Sequence, residues 1–489
     1  MQESLMWVKH GAAYLLNLYT VDSTTGEGRL VGLFGQSAAM VNGQMEEIDF
    51  AYFGPPEEYT TYAPHNLDRP SFYCTTLKPC TDIAADTSAA LAAASLALHP
   101  SDPVFARKCL QQAETIHAFA SKNLGSYMNE TVFPEVGWKT YREWYPSSGY
   151  RDELLLSCVW ICSARGEGCG AYLEEANKWA EGTWPSEYSW ADKSPAAFIL
   201  LHRLSPSLET NSAITSYFST LLPGGPIPRT ARGLLYLFKW GSLRYACNAA
   251  FLGMVWGREL EKEGDAEGAR RVRTMAVQQG NYVLGDAGRS WVVGFGDGWP
   301  RSPYHKSSYN SWIDWPMRGQ PSSDQLTDFL YSPTPNRHIL YGALVGGPEL
   351  NDSYVDNRND YVYTEVTQDY NAAFQGLMGA LVQYYGAGTV ERGSDCGLEL
   401  GWEHPNAKRD RKPVWGKGDC YHGCGECPKD KKLWYQPPGY EGTGTGLSND
   451  DAKTNRVSTN AAGRRIVGEG FFIILDGVSL FVLRCGKKF

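Results

Sequence analysis

The sequence predicts an all-α protein in which about ten helices close into a toroid, followed by an irregular tail. Three observations carry this. Apolar residues recur at helical spacing from residue 1 to about 386, while strand-like alternation is scarce. The connections are long and aromatic, longer than neighbours in a bundle need. No short repeat period is visible, which leans away from a solenoid. Long loops gathered on one rim of a helical ring would build a groove.

The elements follow in order. Leu5, Val8, Ala12, Leu15, Leu16 and Tyr19 form a stripe with Lys9 and His10 between them. This is an amphipathic helix opening a domain, and it lacks the pattern of a signal peptide. Ala85, Ala89, Ala92, Ala93 and Leu96 mark a second helix whose small side chains permit close packing. Asp102-Pro103 places a capping carboxylate before a proline at the first helical position. The stripe Phe105, Cys109, Ala113, Ile116 and Ala120 follows. Further helices are expected near 149–165, 170–181, 195–204, 210–222, 242–263 and 267–284. The last begins inside Tyr354–Tyr385, where Phe374, Leu377, Met378, Leu381, Val382 and Tyr385 make one apolar face.

The first half of Tyr354–Tyr385 carries the chemistry. Asp356, Asp360, Glu365 and Asp369 alternate with Tyr354, Tyr361, Tyr363 and Tyr370. Carboxylates among exposed aromatics suit a carbohydrate site. Aromatic faces stack on sugar rings, and a carboxyl beside an apolar ring can stay protonated and act as an acid. Composition agrees. The net charge of −9 disfavours a nucleic-acid partner, and 16 Trp with 29 Tyr among 489 residues is a rich supply of platforms. No apolar run reaches the length of a membrane span.

Residues 387–465 are rich in Gly, Pro, Lys, Asp and Asn and read as a linker or tail. Cys420, His422, Cys424 and Cys427 sit inside it, without the second Cys pair of a zinc ribbon, so no metal is assigned. The run Phe471–Leu483 either pairs as a hairpin against the domain or trails without a partner. Of the 12 Cys, Cys74 and Cys80 lie close, as do Cys158, Cys162 and Cys169, and spacing leaves their pairing open.

Seven spaced positions then point to one family. Tyr354, Asp356, Tyr361, Glu365, Thr367, Asn371 and Ala372 resemble the carboxyl-side signature of the family-9 glycoside hydrolases, the (α/α)6-barrel cellulases. Blocks similar to that family appear in its order: Asp82–Ser95, Ser147–Leu154, Trp190–Lys193, Trp240–Phe251, Gly285–Gly296 and Gly342–Asp352. The resemblance covers residues 1–386. It implies an inverting endo-β-1,4-glucanase, secreted, monomeric and needing no cofactor, with β-1,4-glucan as its partner and neither nucleic acid nor membrane. It makes Glu365 the general acid, Asp356 its acidic neighbour and Tyr370 a sugar contact. Trp240 and the segment Tyr304, His305 and Lys306 join as substrate-binding candidates.

The sequence also departs from the family. The water-activating Asp belongs to an Asp-Ala-Gly-Asp motif expected upstream of Met1, so residues 1–386 read as a catalytic domain lacking its first segment, with 387–489 as tail. The sole Asp-Ala-Gly, at Asp286–Gly288, ends in Arg289 and is not that motif. Loss of a flanking helix would expose Leu5, Leu15 and Leu16. Pro303-Tyr304-His305-Lys306 replaces the usual Pro-His-His-Arg, Gly298-Trp299-Pro300 the usual Asn-Pro-Pro, and Leu67 a common aromatic. A glycan-binding protein without catalysis is the alternative.

Overall fold

Small side chains decide how closely the first helices pack. The computed structural model describes residues 2–35, 38–49, 52, 69–134, 141–309, 330–336, 338–385, 471–475 and 480–484. Among these are ten helices of three turns or more. They are α1 (Gln2–Leu16), α2 (Thr81–Leu98), α3 (Pro103–Lys122), α4 (Arg151–Arg165), α5 (Gly170–Ala180), α6 (Ser194–Leu204), α7 (Leu208–Leu221), α8 (Ser242–Glu263), α9 (Ala266–Asn281) and α10 (Gln368–Tyr385).

Two layers result. Helices α2, α4, α6, α8 and α10 touch one another in succession, and α3, α5, α7 and α9 lie outside as their hairpin partners. In α2 nearly every side chain is buried, not the single stripe the spacing predicts. Ala85, Ala89, Ala92 and Ala93 are fully closed off because α1, α3 and α4 pack around them. Outer helices bury one face only. On α3 that face includes Cys109, Ala113, Ile116 and Ala120. Asp102 caps α3 as predicted, accepting a hydrogen bond from the Phe105 N–H at 3.0 Å. In α10 Phe374 and Leu377 are buried, whereas Val382 is exposed, contrary to its place in the predicted face.

Three short strands lie where no strand was predicted. β1 (Tyr19–Val21), β2 (Gly28–Phe34) and, beyond a separate hairpin of β3 (Ala38–Val41) and β4 (Gln44–Glu47), β5 (Ser71–Cys74) are antiparallel, in the order β1-β2-β5. The β3–β4 turn is Asn42-Gly43 with both residues at positive φ, the geometry a two-residue hairpin needs. That dipeptide is a local hairpin signal the periodicity reading passed over.

On α1 the exposed apolar residues are Met6, Trp7 and Tyr14. Leu5, Leu15 and Leu16, expected at the surface, are partly buried and pack against the core. Cys74 is bonded to Cys80 and Cys162 to Cys169, leaving Cys158 free and buried. β6 (Phe471–Leu475) and β7 (Leu480–Arg484) pair antiparallel and run beside α1, α2 and α10, the hairpin form of the two expected outcomes. Leu67 and the Cys420–Cys427 cluster fall outside the described residues. No described helix is long and apolar enough to cross a membrane.

Candidate active site

Glu365 sits in the three-residue gap of chain between a helical turn at Tyr361–Thr364 and the start of α10. The gap is extended backbone. Its neighbours are Tyr304, bridged in parallel to Glu365, and Val345, bridged to Val366. The Tyr304 N–H donates to the Thr364 carbonyl at 2.9 Å. Asn371, on the first turn of α10, accepts from the Leu344 N–H and donates to the Gly342 carbonyl, tying the 342–345 loop to the same helix. Three separate stretches thus converge on one carboxyl group.

Two donors reach that carboxyl, both at Oε2. The Trp240 indole N–H lies 3.0 Å away and the Tyr370 hydroxyl 3.2 Å. This leaves Oε1 to carry a proton. Burial raises the Glu365 pKa above the ordinary carboxylate value, while the Trp240 and Tyr370 hydrogen bonds pull it back toward ionisation. A carboxyl that is dehydrated on one side and hydrogen-bonded on the other suits a proton donor.

The backbone at Gly241 makes this geometry accessible. Gly241 has φ +71° at the N-terminus of α8, directly after Trp240. A Cβ there would stand 3.0 Å from the Tyr370 ring, so a larger residue would push apart the two groups that hold Glu365. Behind them, Arg244 pairs with Asp369 at 2.6 Å, both largely buried. Its guanidinium also lies over the rings of Trp190, Tyr245 and Tyr370.

The solvent side is aromatic. Trp240 is 41% exposed and Tyr361 47%, their rings 5.2 Å apart, and Tyr304 continues the row 5.9 Å beyond Tyr361. A second row runs Tyr145–Trp190–Tyr245–Phe238, in which Tyr245 is buried. Exposed rings in line offer faces to a chain of sugar rings.

The predicted site residues are therefore distributed unevenly. Glu365, Trp240, Tyr304 and Tyr370 come together. Tyr370 is only 1% exposed, and its hydroxyl donates to Glu365. Asp356 accepts the Arg301 N–H at 2.6 Å and the Ser302 N–H at 3.1 Å, so its carboxylate holds the loop that leads to Tyr304. His305 and Lys306 are half-buried beside Tyr304. Burial lowers the His305 pKa, favouring the neutral imidazole, and its Nδ1 has no hydrogen-bond partner among the described residues. Asp286 belongs to a π-helical turn at Tyr282–Asp286, where burial raises its pKa.

Residues not singled out from sequence are Arg244, Asp369 as its partner, Trp190 and Phe238. Arg244 left one trace, being the single cation of the block Trp240–Phe251.

Residues 1–378 match the family described as Glycosyl hydrolase family 9. Endoglucanase A of Bacillus pumilus is 37% identical over 355 residues, covering 70% of this chain and 49% of that protein. An endoglucanase of Dictyostelium discoideum is 31% identical over 384 residues, 77% of this chain and 47% of that protein. The chain spans about half the length of these curated relatives. Among solved structures, the endoglucanase of the termite Nasutitermes takasagoensis superposes with a TM-score of 0.62 at 30% identity, covering 78% of this chain and 82% of that one. An endoglucanase of Clostridium thermocellum complexed with cellotetraose gives 0.61 at 28% identity, covering 77% and 56%.

Proposed function

Because the chain belongs to glycosyl hydrolase family 9, we propose that it is an endoglucanase-type enzyme acting on β-1,4-glucan, with Glu365 as the general acid. The observation that carries this is the setting of Glu365. Its Oε2 is held by Trp240 and Tyr370, its pKa is raised by burial, and exposed rings flank it on the solvent side. A sugar stacked on Trp240 would present its glycosidic oxygen to Oε1, which delivers the proton as the bond to the anomeric carbon breaks. The aglycone leaves as an alcohol, and water completes the cleavage.

If the reaction inverts, that water is activated by a second carboxylate on the opposite face of the sugar, about 6.5–9.5 Å from the first. No residue of this sequence is assigned that role. Asp356 and Tyr370 act as positioning residues, through the loop and the acid respectively. A cello-oligosaccharide bound to the related Clostridium thermocellum endoglucanase supports the substrate class. Two disulfides, Cys74–Cys80 and Cys162–Cys169, fit an oxidising compartment and so a protein working outside the cell.

The second reading is glycan binding without cleavage. Tyr304 and Lys306 favour it, since an ammonium offers a point charge where a guanidinium would fork onto two hydroxyls. So does the single Asp-Ala-Gly, followed by Arg289. One experiment separates the two readings. Cellotetraose binding is followed by tryptophan fluorescence, and reducing ends released from carboxymethylcellulose are counted for wild type and Glu365→Gln. The enzyme reading expects the variant to bind normally and to cleave about 10²–10⁴-fold more slowly. Binding by wild type with no cleavage supports the second reading. Cleavage that Glu365→Gln leaves unchanged would sink the assignment of the acid.

A further inference from the structure

Far from Glu365 in sequence, α3, α4 and α5 meet at a cluster of three potential ligands. His117 Nε2 lies 3.2 Å from Glu175 Oε2 and 3.8 Å from Cys158 Sγ, and the three donor atoms all fall within 4.8 Å of one another. His117 and Cys158 are buried, while Glu175 keeps about a third of its side chain in solvent.

The tautomer of His117 can be read from a relay of hydroxyls. The Ala113 carbonyl can only accept, so the Ser88 hydroxyl donates to it, at 2.7 Å. Ser88 Oγ then accepts from the Ser157 hydroxyl at 2.9 Å. With its proton committed, Ser157 Oγ accepts from His117, also at 2.9 Å, so Nδ1 carries the hydrogen. Nε2 of a neutral ring would therefore aim a lone pair at a carboxylate and a sulfur. Something positive must lie between them, a proton or a metal ion.

His202 provides a comparison. Its Nδ1 donates to Thr210 Oγ1, whose own proton goes to the Ser207 carbonyl, and its Nε2 faces Glu263. There the gap closes to 2.8 Å, with no sulfur among its hydrogen-bond partners in the described residues. At His117 the carboxylate stands further off and a thiol completes the triangle. Ligands on a tetrahedral zinc ion, at about 2.0 Å for N and O and 2.3 Å for S, are separated by about 3.3 Å (N to O) and 3.5 Å (N to S). At His117 the N-to-O edge is 3.2 Å and the N-to-S edge 3.8 Å, and the three donor atoms lie within 4.8 Å of one another.

We propose that His117, Cys158 and Glu175 form a zinc site that pins α3, α4 and α5 together, with water as the fourth ligand on the exposed side of Glu175. The chemistry balances. On binding, the Cys158 thiol gives up its proton, and the charge of Zn²⁺ offsets the resulting thiolate and the Glu175 carboxylate, so the liganded cluster is neutral. Glu114, Arg165, Lys178 and the Tyr172 hydroxyl are the other ionisable groups around it. Tyr172 closes the pocket with its ring 5.4 Å from that of His117.

The test uses the full chain, stripped with chelator and titrated with Co²⁺ and then Zn²⁺. One equivalent of Co²⁺ should give a thiolate-to-cobalt absorption in the near ultraviolet, which Zn²⁺ displaces. The band should vanish in Cys158→Ser, weaken in Glu175→Gln and survive in His202→Asn. Calorimetry in buffers of different ionisation enthalpy should show proton release on Zn²⁺ binding that Cys158→Ser reduces. Circular dichroism checks that each variant is folded, and the partly exposed Glu175→Gln serves if the buried variants are not. No thiolate band in folded wild type, or a band that Cys158→Ser leaves intact, would overturn the site.

Discussion

Trp240→Phe isolates what the indole N–H does to Glu365. Phenylalanine keeps an aromatic face next to Tyr361 but removes the donor 3.0 Å from Oε2. A hydrogen bond to an ionised group contributes about 1.5–3 kcal/mol. Trp240 is 41% exposed, and water can take over part of its role, so the lower end applies. About 1.4 kcal/mol is a tenfold change in an equilibrium. The variant should therefore favour the protonated form of Glu365 about tenfold more than wild type does. The sign follows from the donor stabilising the carboxylate, so its loss raises a pKa that burial already holds high. The assay is a ¹³C NMR titration of protein labelled at the glutamate side-chain carboxyl, with the Glu365 resonance assigned by its absence in Glu365→Gln. This readout needs no turnover. Tyr370→Phe, which removes the donor at 3.2 Å, should move the same resonance in the same direction. A titration in Trp240→Phe that is unchanged or shifted to lower pH would refute the hydrogen-bond account of the site.

Two further outcomes follow from buried charges. Arg244→Met strands Asp369, whose side chain is 15% exposed, and should cost about 3–5 kcal/mol in urea unfolding. Adding Asp369→Asn should recover part of that loss, and strictly additive losses would rule out the ion pair as the cause. Asp82 is held up to about 6, first by burial, against an ordinary 3.8. Its folded pKa lies above its unfolded one, so its contribution to stability is full below about pH 4 and is lost as pH rises through about 6. Asp82→Asn removes that titration and should flatten the stability profile between pH 4 and 7 by up to about 3 kcal/mol. Parallel wild-type and variant profiles would argue against it.

What could be read from sequence is local. The helices predicted near 149–165, 170–181, 242–263 and 267–284 match α4, α5, α8 and α9 within a few residues, because apolar spacing at 3.6 residues is written along the chain. The Asp102 cap is as local, since a side chain and an N–H three residues on need no tertiary partner. The spaced positions from Tyr354 to Ala372 located Glu365. The β3–β4 hairpin was equally legible in Asn42-Gly43 and was missed because the periodicity search looked for longer runs.

Only the tertiary structure decided what surrounds Glu365. Trp240 donates to it across 125 residues of sequence, and Arg244 reaches Asp369 across the same separation. No spacing rule spans such a distance. These pairs exist because α8 packs beside α10, so that the start of one helix faces the start of the other. The same packing buries Tyr370, whose hydroxyl donates to Glu365. At His117, a hydroxyl relay drawn from α2, α3 and α4 chose the tautomer. Periodicity tells each helix which face to bury. Which buried polar groups then meet is settled by how the faces stack, and burial makes each of those meetings matter by excluding the water that would otherwise take the partner's place.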